Sequence, residues 1–199
     1  MLMTGPGGTG KTHVVKALRQ VMNHYGCGHR IHFLAPTGSA AGNIDGMTIH
    51  KGLGLKIAKK DGRGKGSQEI GGSSEDFTVL VSIQNKALLR DEWKDVDVVL
   101  IDEISLTSAQ LLCEIDQALR FAKERRDEWF GGITVVFAGD FYQYPPVGGT
   151  PLYTPIQRNG KFTSDELLRR LGRLAWKSIN AVVELTEQQR MKTVLNVER

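Results

Sequence analysis

The run Gly5-Pro6-Gly7-Gly8-Thr9-Gly10-Lys11-Thr12 matches G-x-x-x-x-G-K-[ST] at every fixed position and stands at the front of the chain. No other feature constrains the fold as strongly, because this loop works only between a strand and a helix. Met1-Leu2-Met3 supplies a short apolar lead-in, and Val14, Val15, Leu18, Val21, Met22 and Tyr25 follow at helical spacing. Glycines let the backbone curl so that successive N–H groups point inward, and a helix N-terminus adds positive potential at the same place. Such a loop is built for phosphate. Gly7, Gly8, Thr9 and Gly10 would cradle it, Lys11 would neutralise β- and γ-phosphates, and the Thr12 hydroxyl would hold Mg²⁺. The competing reading is a glycine turn before an ordinary helix, with a solvated lysine.

The chain has 199 residues, 40% of them hydrophobic, enough for one domain with a buried core. Mean hydropathy is −0.25 and no apolar run approaches the roughly 20 residues of a membrane span. The N-terminus already reads as the P-loop strand, which leaves no secretory leader. That strand is short, since the glycine loop begins at Gly5, and Thr193 to Arg199 carry no stop signal. The sequence therefore reads as a piece of a longer protein. Cys27 and Cys113 lie far apart with no metal-ligand spacing, which points to a reducing, intracellular setting. His29 and His32 read as flanking a strand, not as ligands. A net charge of +4 and a pI near 9.1 lean weakly toward a polyanionic partner.

Four further apolar runs read as strands: Ile31 to Ala35, Val96 to Ile101, Ile133 to Ala138 and Ala181 to Leu185. The middle two are nearly continuous Val, Ile and Leu, as expected of parallel strands covered on both faces. A helix is predicted through Leu112, Ile115, Leu119 and Ala122, with Thr107 and Gln110 as its capping box. Another is predicted from Ser164, with Asp165 and Glu166 in its first turn. Alternating strands and helices define an α/β domain with a mostly parallel sheet. Residues 59–76 break the pattern. They are glycine-rich and basic in their first half, and read as a flexible surface insertion, either solvated or in contact with nucleic acid.

Val98-Val99-Leu100-Ile101-Asp102-Glu103 is a Walker B pattern, a buried strand ending in two carboxylates. Adjacent acids at a strand tip need a positive partner, and beside a P-loop that partner is Mg²⁺. Asp102 would hold the ion, while Glu103 would orient and deprotonate a water in line with the γ-phosphate. The bland alternative is an acidic cap for the next helix. In Gly139-Asp140-Phe141-Tyr142-Gln143-Tyr144-Pro145-Pro146-Val147, the Gln143 amide lies just past a strand tip, where it can sense a γ-phosphate. Tyr142 and Tyr144 are either core or a stacking surface, and at least one is expected to pack inward.

Taken in order, the P-loop, Ala35-Pro36-Thr37-Gly38-Ser39-Ala40-Ala41, Thr48-Ile49-His50, Ile101-Asp102-Glu103-Ile104-Ser105, Gly139 to Val147 and Leu185-Thr186-Glu187-Gln188-Gln189-Arg190 resemble the petite integration frequency (PIF) helicases. These form the five-prime-to-three-prime branch of helicase superfamily one, related to RecD. The resemblance spans nearly the whole chain. It implies a RecA-like P-loop NTPase domain, the first of two in the family motor, with no motif of the second in this sequence. It implies ATP and Mg²⁺ as cofactors, with single-stranded DNA, DNA junctions and the second RecA-like domain as partners. It also implies that Pro36, Thr37 and Gly38 grip the single-strand backbone, helped by His50 and Lys51, and that Arg190 reaches the γ-phosphate. The compartment would be the nucleus or mitochondrion in a eukaryote.

The sequence departs from the family in three places. The family's adenine-recognising glutamine would lie upstream of the P-loop, farther than this sequence reaches. Tyr144 stands where many members carry leucine, and Met191 where glutamine is frequent; both variants resemble helicase segments of rolling-circle transposons. The expected function is an ATP-driven DNA helicase motor. A nucleotide- or DNA-binding module without turnover, of transposon origin, is the alternative. A P-loop kinase or transport ATPase is disfavoured by the Gly139 to Val147 segment.

Overall fold

A computed structural model describes residues 1–55, 85–155 and 163–189. The proposed insertion at 59–76 lies outside the described residues. Six strands, β1 (Leu2–Thr4), β2 (Ile31–Ala35), β3 (Met47–Thr48), β4 (Val98–Ile101), β5 (Thr134–Gly139) and β6 (Val182–Glu184), form one sheet in the order β3-β2-β4-β5-β1-β6. Every pairing is parallel. The helices are α1 (Lys11–His24), α2 (Gly38–Asn43), α3 (Ile49–Gly52), α4 (Lys86–Trp93), α5 (Ala109–Lys123) and α6 (Ser164–Lys177).

Successive residues of a strand face opposite sides, so a sheet buried on both faces needs two cores. Both exist here. Leu34, Val99, Ile101, Val135 and Phe137 point to one face, where they meet Trp93 of α4, Leu112, Ile115 and Leu119 of α5, and Ala175 of α6. Met3, Ile31, Phe33, Leu100 and Ala138 point to the other, against Val15 of α1 and Ala40 and Ala41 of α2. The near-continuous apolar stretches in β4 and β5 follow from this double coverage. Cys113 is buried in α5, and burial pushes its thiol up to about 12, which leaves it an inert core residue.

The strand and helix predictions hold, with one-or-two-residue differences at their ends. The capping box does not. Ser108, not Thr107, caps α5: its Oγ accepts the Leu111 N–H at 3.1 Å. Thr107 is fully buried with its hydroxyl unpartnered, and Gln110 turns away to accept the Thr150 N–H through Oε1. A short 3₁₀ turn at Ile104–Leu106 delays the helix by one residue, which moves the cap. His32 lies within β2 instead of flanking it, its ring against Trp93 at 4.8 Å. Among the described residues no helix is long and apolar enough to cross a membrane.

Candidate functional site

With all strands parallel, the chain leaves each of them at the same edge of the sheet. The P-loop follows β1, Pro36-Thr37-Gly38 follow β2, Ile49-His50-Lys51 follow β3, Asp102-Glu103 follow β4, Asp140 to Gln143 follow β5 and Leu185 to Gln189 follow β6. Carboxyl edges of this kind are where open α/β sheets bind ligands. The strand order sorts the segments. Those read as nucleotide-binding cluster around β4, β5, β1 and β6, and those read as DNA-gripping lie together at the β3-β2 corner, where Ala35 stands in register with Thr48.

The P-loop geometry suits a phosphate. Gly10 has φ +93°, a left-handed conformation, and a Cβ there would project into open space. No side chain caps the first amides of α1, and its first turn holds no acid. The Lys11 ammonium lies over the loop, donating to the Gly5 carbonyl at 2.5 Å and the Pro6 carbonyl at 3.0 Å. Thr9 is buried, its hydroxyl donating to Pro6.

Across from Lys11 stand the two acids of β4. Asp102 is buried and its Oδ1 accepts the Glu103 N–H at 2.9 Å. Burial raises the Asp102 pKa, while that N–H and the Lys11 charge pull it down. Glu103 has φ +52°, left-handed for a residue with a side chain. Its pKa is also raised, first by burial and then by Asp102, with Asp140 adding to the rise and Lys11 opposing it. Three carboxylates and one lysine thus converge on one spot. A hydroxyl at Thr12 and a carboxylate at Asp102 are hard oxygen donors of the kind Mg²⁺ takes alongside water. Thr12, the second residue of α1, is exposed.

Gln143 is held by Asp140, a buried residue to which the sequence reading gave no role. Its Oδ1 accepts the Tyr142 N–H at 3.0 Å and its Oδ2 accepts Gln143 Nε2 at 3.1 Å. That amide nitrogen sits 3.6 Å from where a Gly7 Cβ would be, so Gln143 abuts the P-loop. Both neighbouring tyrosines point outward, Tyr142 at 99% and Tyr144 at 82% exposure. The expectation that one would pack inward is therefore wrong. Phe141 packs against the core instead, beside Trp176.

At the β3-β2 corner, Thr37 caps α2 through its hydroxyl and Thr48 caps α3 in the same way. Lys51 is exposed and His50 half-buried. Trp93 supports this corner from below, its indole N–H donating to the buried Gly52 carbonyl at 2.9 Å. Arg190 lies outside the described residues. The segment before it grips the P-loop: Gln188 Nε2 donates to the Gly7 carbonyl at 2.7 Å and the Gln189 N–H to the Gly8 carbonyl at 3.0 Å. Sequence reasoning missed Trp93, Asp140 and Gln188. Only Asp140 left a signal, as a buried-type acid between a strand and the Gln143 loop.

The fold and the edge define a RecA-like P-loop nucleotide-binding domain. The PIF1-like helicase family model matches residues 1–198, and the chain belongs to that family. It is 34% identical over 162 residues to the ATP-dependent DNA helicase Pif1 of Psychrobacter, covering 74% of this chain and 20% of that protein. It is 36% identical over 145 residues to the ATP-dependent DNA helicase RRM3 of Saccharomyces cerevisiae, covering 72% and 18%. Among solved structures, a Bacteroides Pif1 bound to single-stranded DNA superposes with a TM-score of 0.62 at 29% identity, covering 98% of this chain and 41% of that one. A Bacteroides Pif1 in complex with ADP-AlF₄ gives 0.60 at 29% identity, covering 98% and 40%. The chain thus spans about a fifth of the curated relatives it matches.

Proposed function

We propose that this chain is the first RecA-like domain of an ATP-dependent DNA helicase, binding ATP at the P-loop edge and single-stranded DNA at the β3-β2 corner. In the whole protein the nucleotide would lie between this domain and a second RecA-like domain, and the motor would work on single strands and DNA junctions. The observation that carries the reading is the convergence of Lys11, Asp102, Glu103 and Gln143 at one end of a sheet edge, with Pro36 to Gly38 and His50-Lys51 at the other.

The residues divide the work by chemistry. Gly7, Gly8 and Gly10 would present main-chain N–H groups to phosphate oxygens, and the Thr9 N–H and the Lys11 ammonium would leave their carbonyl partners to join them, Lys11 at the β- and γ-phosphates. Thr12 and Asp102 would hold Mg²⁺, which supplies positive charge beside the departing phosphoryl group. Glu103, with its raised proton affinity, is matched to take a proton from the attacking water. Gln143, oriented by Asp140, would face the γ-phosphate, and Arg190 would add charge there during transfer. Pro36, Thr37, Gly38, His50 and Lys51 would hold the DNA strand. Domain closure around the nucleotide would then alter which domain grips it. Family membership favours this reading over a binding module without turnover.

The test is ATP hydrolysis by this domain within its full-length parent, with and without single-stranded DNA, beside Glu103→Gln and Lys11→Ala. Strong stimulation by DNA is expected in the parent. Glu103→Gln should lower turnover by about 10²–10⁴-fold. Lys11→Ala should abolish it and leave DNA binding intact. Turnover indifferent to DNA would point to another class of ATPase.

A further inference from the structure

The segment after β6 touches the P-loop at two consecutive peptides. Gln188 Nε2 donates to the Gly7 carbonyl at 2.7 Å, and the Gln189 N–H donates to the Gly8 carbonyl at 3.0 Å. The approach is close from the start of the loop, where a Cβ on Gly5 would collide with the Leu185 carbonyl. β6 runs beside β1 in register, Thr4 against Glu184, and the Leu185 N–H donates to the Thr4 carbonyl at 2.8 Å. The two chains therefore leave the sheet side by side, and one braces the other.

A trans peptide carries its C=O and its N–H on opposite sides of one rigid plane. A carbonyl held outward by Gln188 forces the N–H of the same Gly7–Gly8 peptide inward. The next peptide obeys the same rule. Its carbonyl is held outward by Gln189, and its Thr9 N–H points back across the loop to the Pro6 carbonyl, at 3.4 Å. Between two glycines a peptide flips at little cost, so the Gly7–Gly8 unit has no local reason to keep its N–H inward. Only an outside contact can hold it there.

We infer that Gln188 is a positioning residue for the phosphate site: its side-chain amide orients the Gly7–Gly8 peptide so that the Gly8 N–H faces the bound nucleotide. The inference rests on the P-loop binding ATP, as proposed above. Gln188 does not touch the nucleotide. Its effect is exerted through one N–H of the loop, and such N–H groups meet the α- and β-phosphates. ADP and ATP should therefore depend on Gln188 equally. The side chain is exposed, so its loss leaves no hole in either core.

The experiment measures the affinity of the purified protein for fluorescent ADP and fluorescent ATP, for wild type, Gln188→Ala, Gln188→Glu and Lys11→Ala. Melting of the nucleotide-free proteins is followed alongside. Gln188→Glu keeps the shape but has no donor. Both Gln188 variants should bind ADP and ATP about three- to tenfold more weakly, by the same factor for each, with unchanged melting. In the full-length parent they should raise KM for ATP with little change in kcat. Unchanged affinity for both nucleotides overturns the inference. So does weaker binding of ATP alone, which would mark a γ-phosphate contact. Wild-type protein that binds neither nucleotide overturns the ATP reading itself, and Lys11→Ala as the only weakened variant leaves that reading standing while removing the role of Gln188.

Discussion

Glu103 shows how a single residue is held away from its resting preferences. It occupies left-handed backbone space, lies beside Asp102 and Asp140, and is partly buried, so its charged form is disfavoured. A carboxyl with a higher pKa in the folded chain than in the unfolded chain binds its proton more tightly when folded. It therefore favours the fold below the ordinary carboxylate range, and that contribution is lost as pH rises through the raised value. Glu103→Gln should melt higher than wild type near pH 7, and the advantage should vanish toward about pH 4, where Glu103 is neutral. Thermal melts across that range check this. An equal difference at both pH values would mean that ionisation of Glu103 carries no cost.

At the scale of elements, the start of α5 separates two residues that the sequence makes look equivalent. Ser108 accepts the Leu111 N–H, while Thr107 is buried with an unpartnered hydroxyl. Ser108→Ala should cost about 1 kcal/mol in denaturant unfolding. Thr107→Val removes a buried hydroxyl that makes no bond and should be neutral or stabilising. The reverse order would restore Thr107 as the cap. The β3-β2 corner offers a second contrast. Trp93 is fully buried and its indole holds the Gly52 carbonyl at the end of α3. Trp93→Phe leaves that carbonyl unpaired beside a small cavity, a loss of roughly 2–4 kcal/mol. Since α3 carries His50 and Lys51, affinity for single-stranded DNA should fall more than affinity for nucleotide. Binding titrations of both ligands on the folded variant decide it.

For the whole molecule, the proposed nucleotide end and the proposed DNA corner lie along one sheet edge, and in the proposed motor each is completed by a second domain. Residues 1–199 alone should bind nucleotide weakly, hydrolyse it slowly and unwind nothing. A fork-unwinding assay beside the full-length parent checks this, and robust unwinding by the domain alone would remove the two-domain argument.

Much of this architecture was legible in the sequence because its signals are local. The P-loop spacing, the Val/Ile/Leu runs of β4 and β5, and the acids that follow β4 each depend on a handful of neighbouring residues. β3, of two residues, is too short to show a period, and the sequence reading had no signal for it. Which aromatic of this loop packs inward depended on Phe141 meeting Trp176, a partner distant in sequence. Gln188 meets Gly7 across 181 residues, and Trp93 meets Gly52 across 41. Side-chain to main-chain contacts of that range leave no pattern along the chain, because any residue with a donor can make them once packing brings it near. Which residues stand on the edge was therefore written in the sequence by itself. The strand order β3-β2-β4-β5-β1-β6, which sets the P-loop apart from the β3-β2 corner and lays Gln188 against the P-loop, was decided by the tertiary structure alone, because strands pair by packing and not by sequence order.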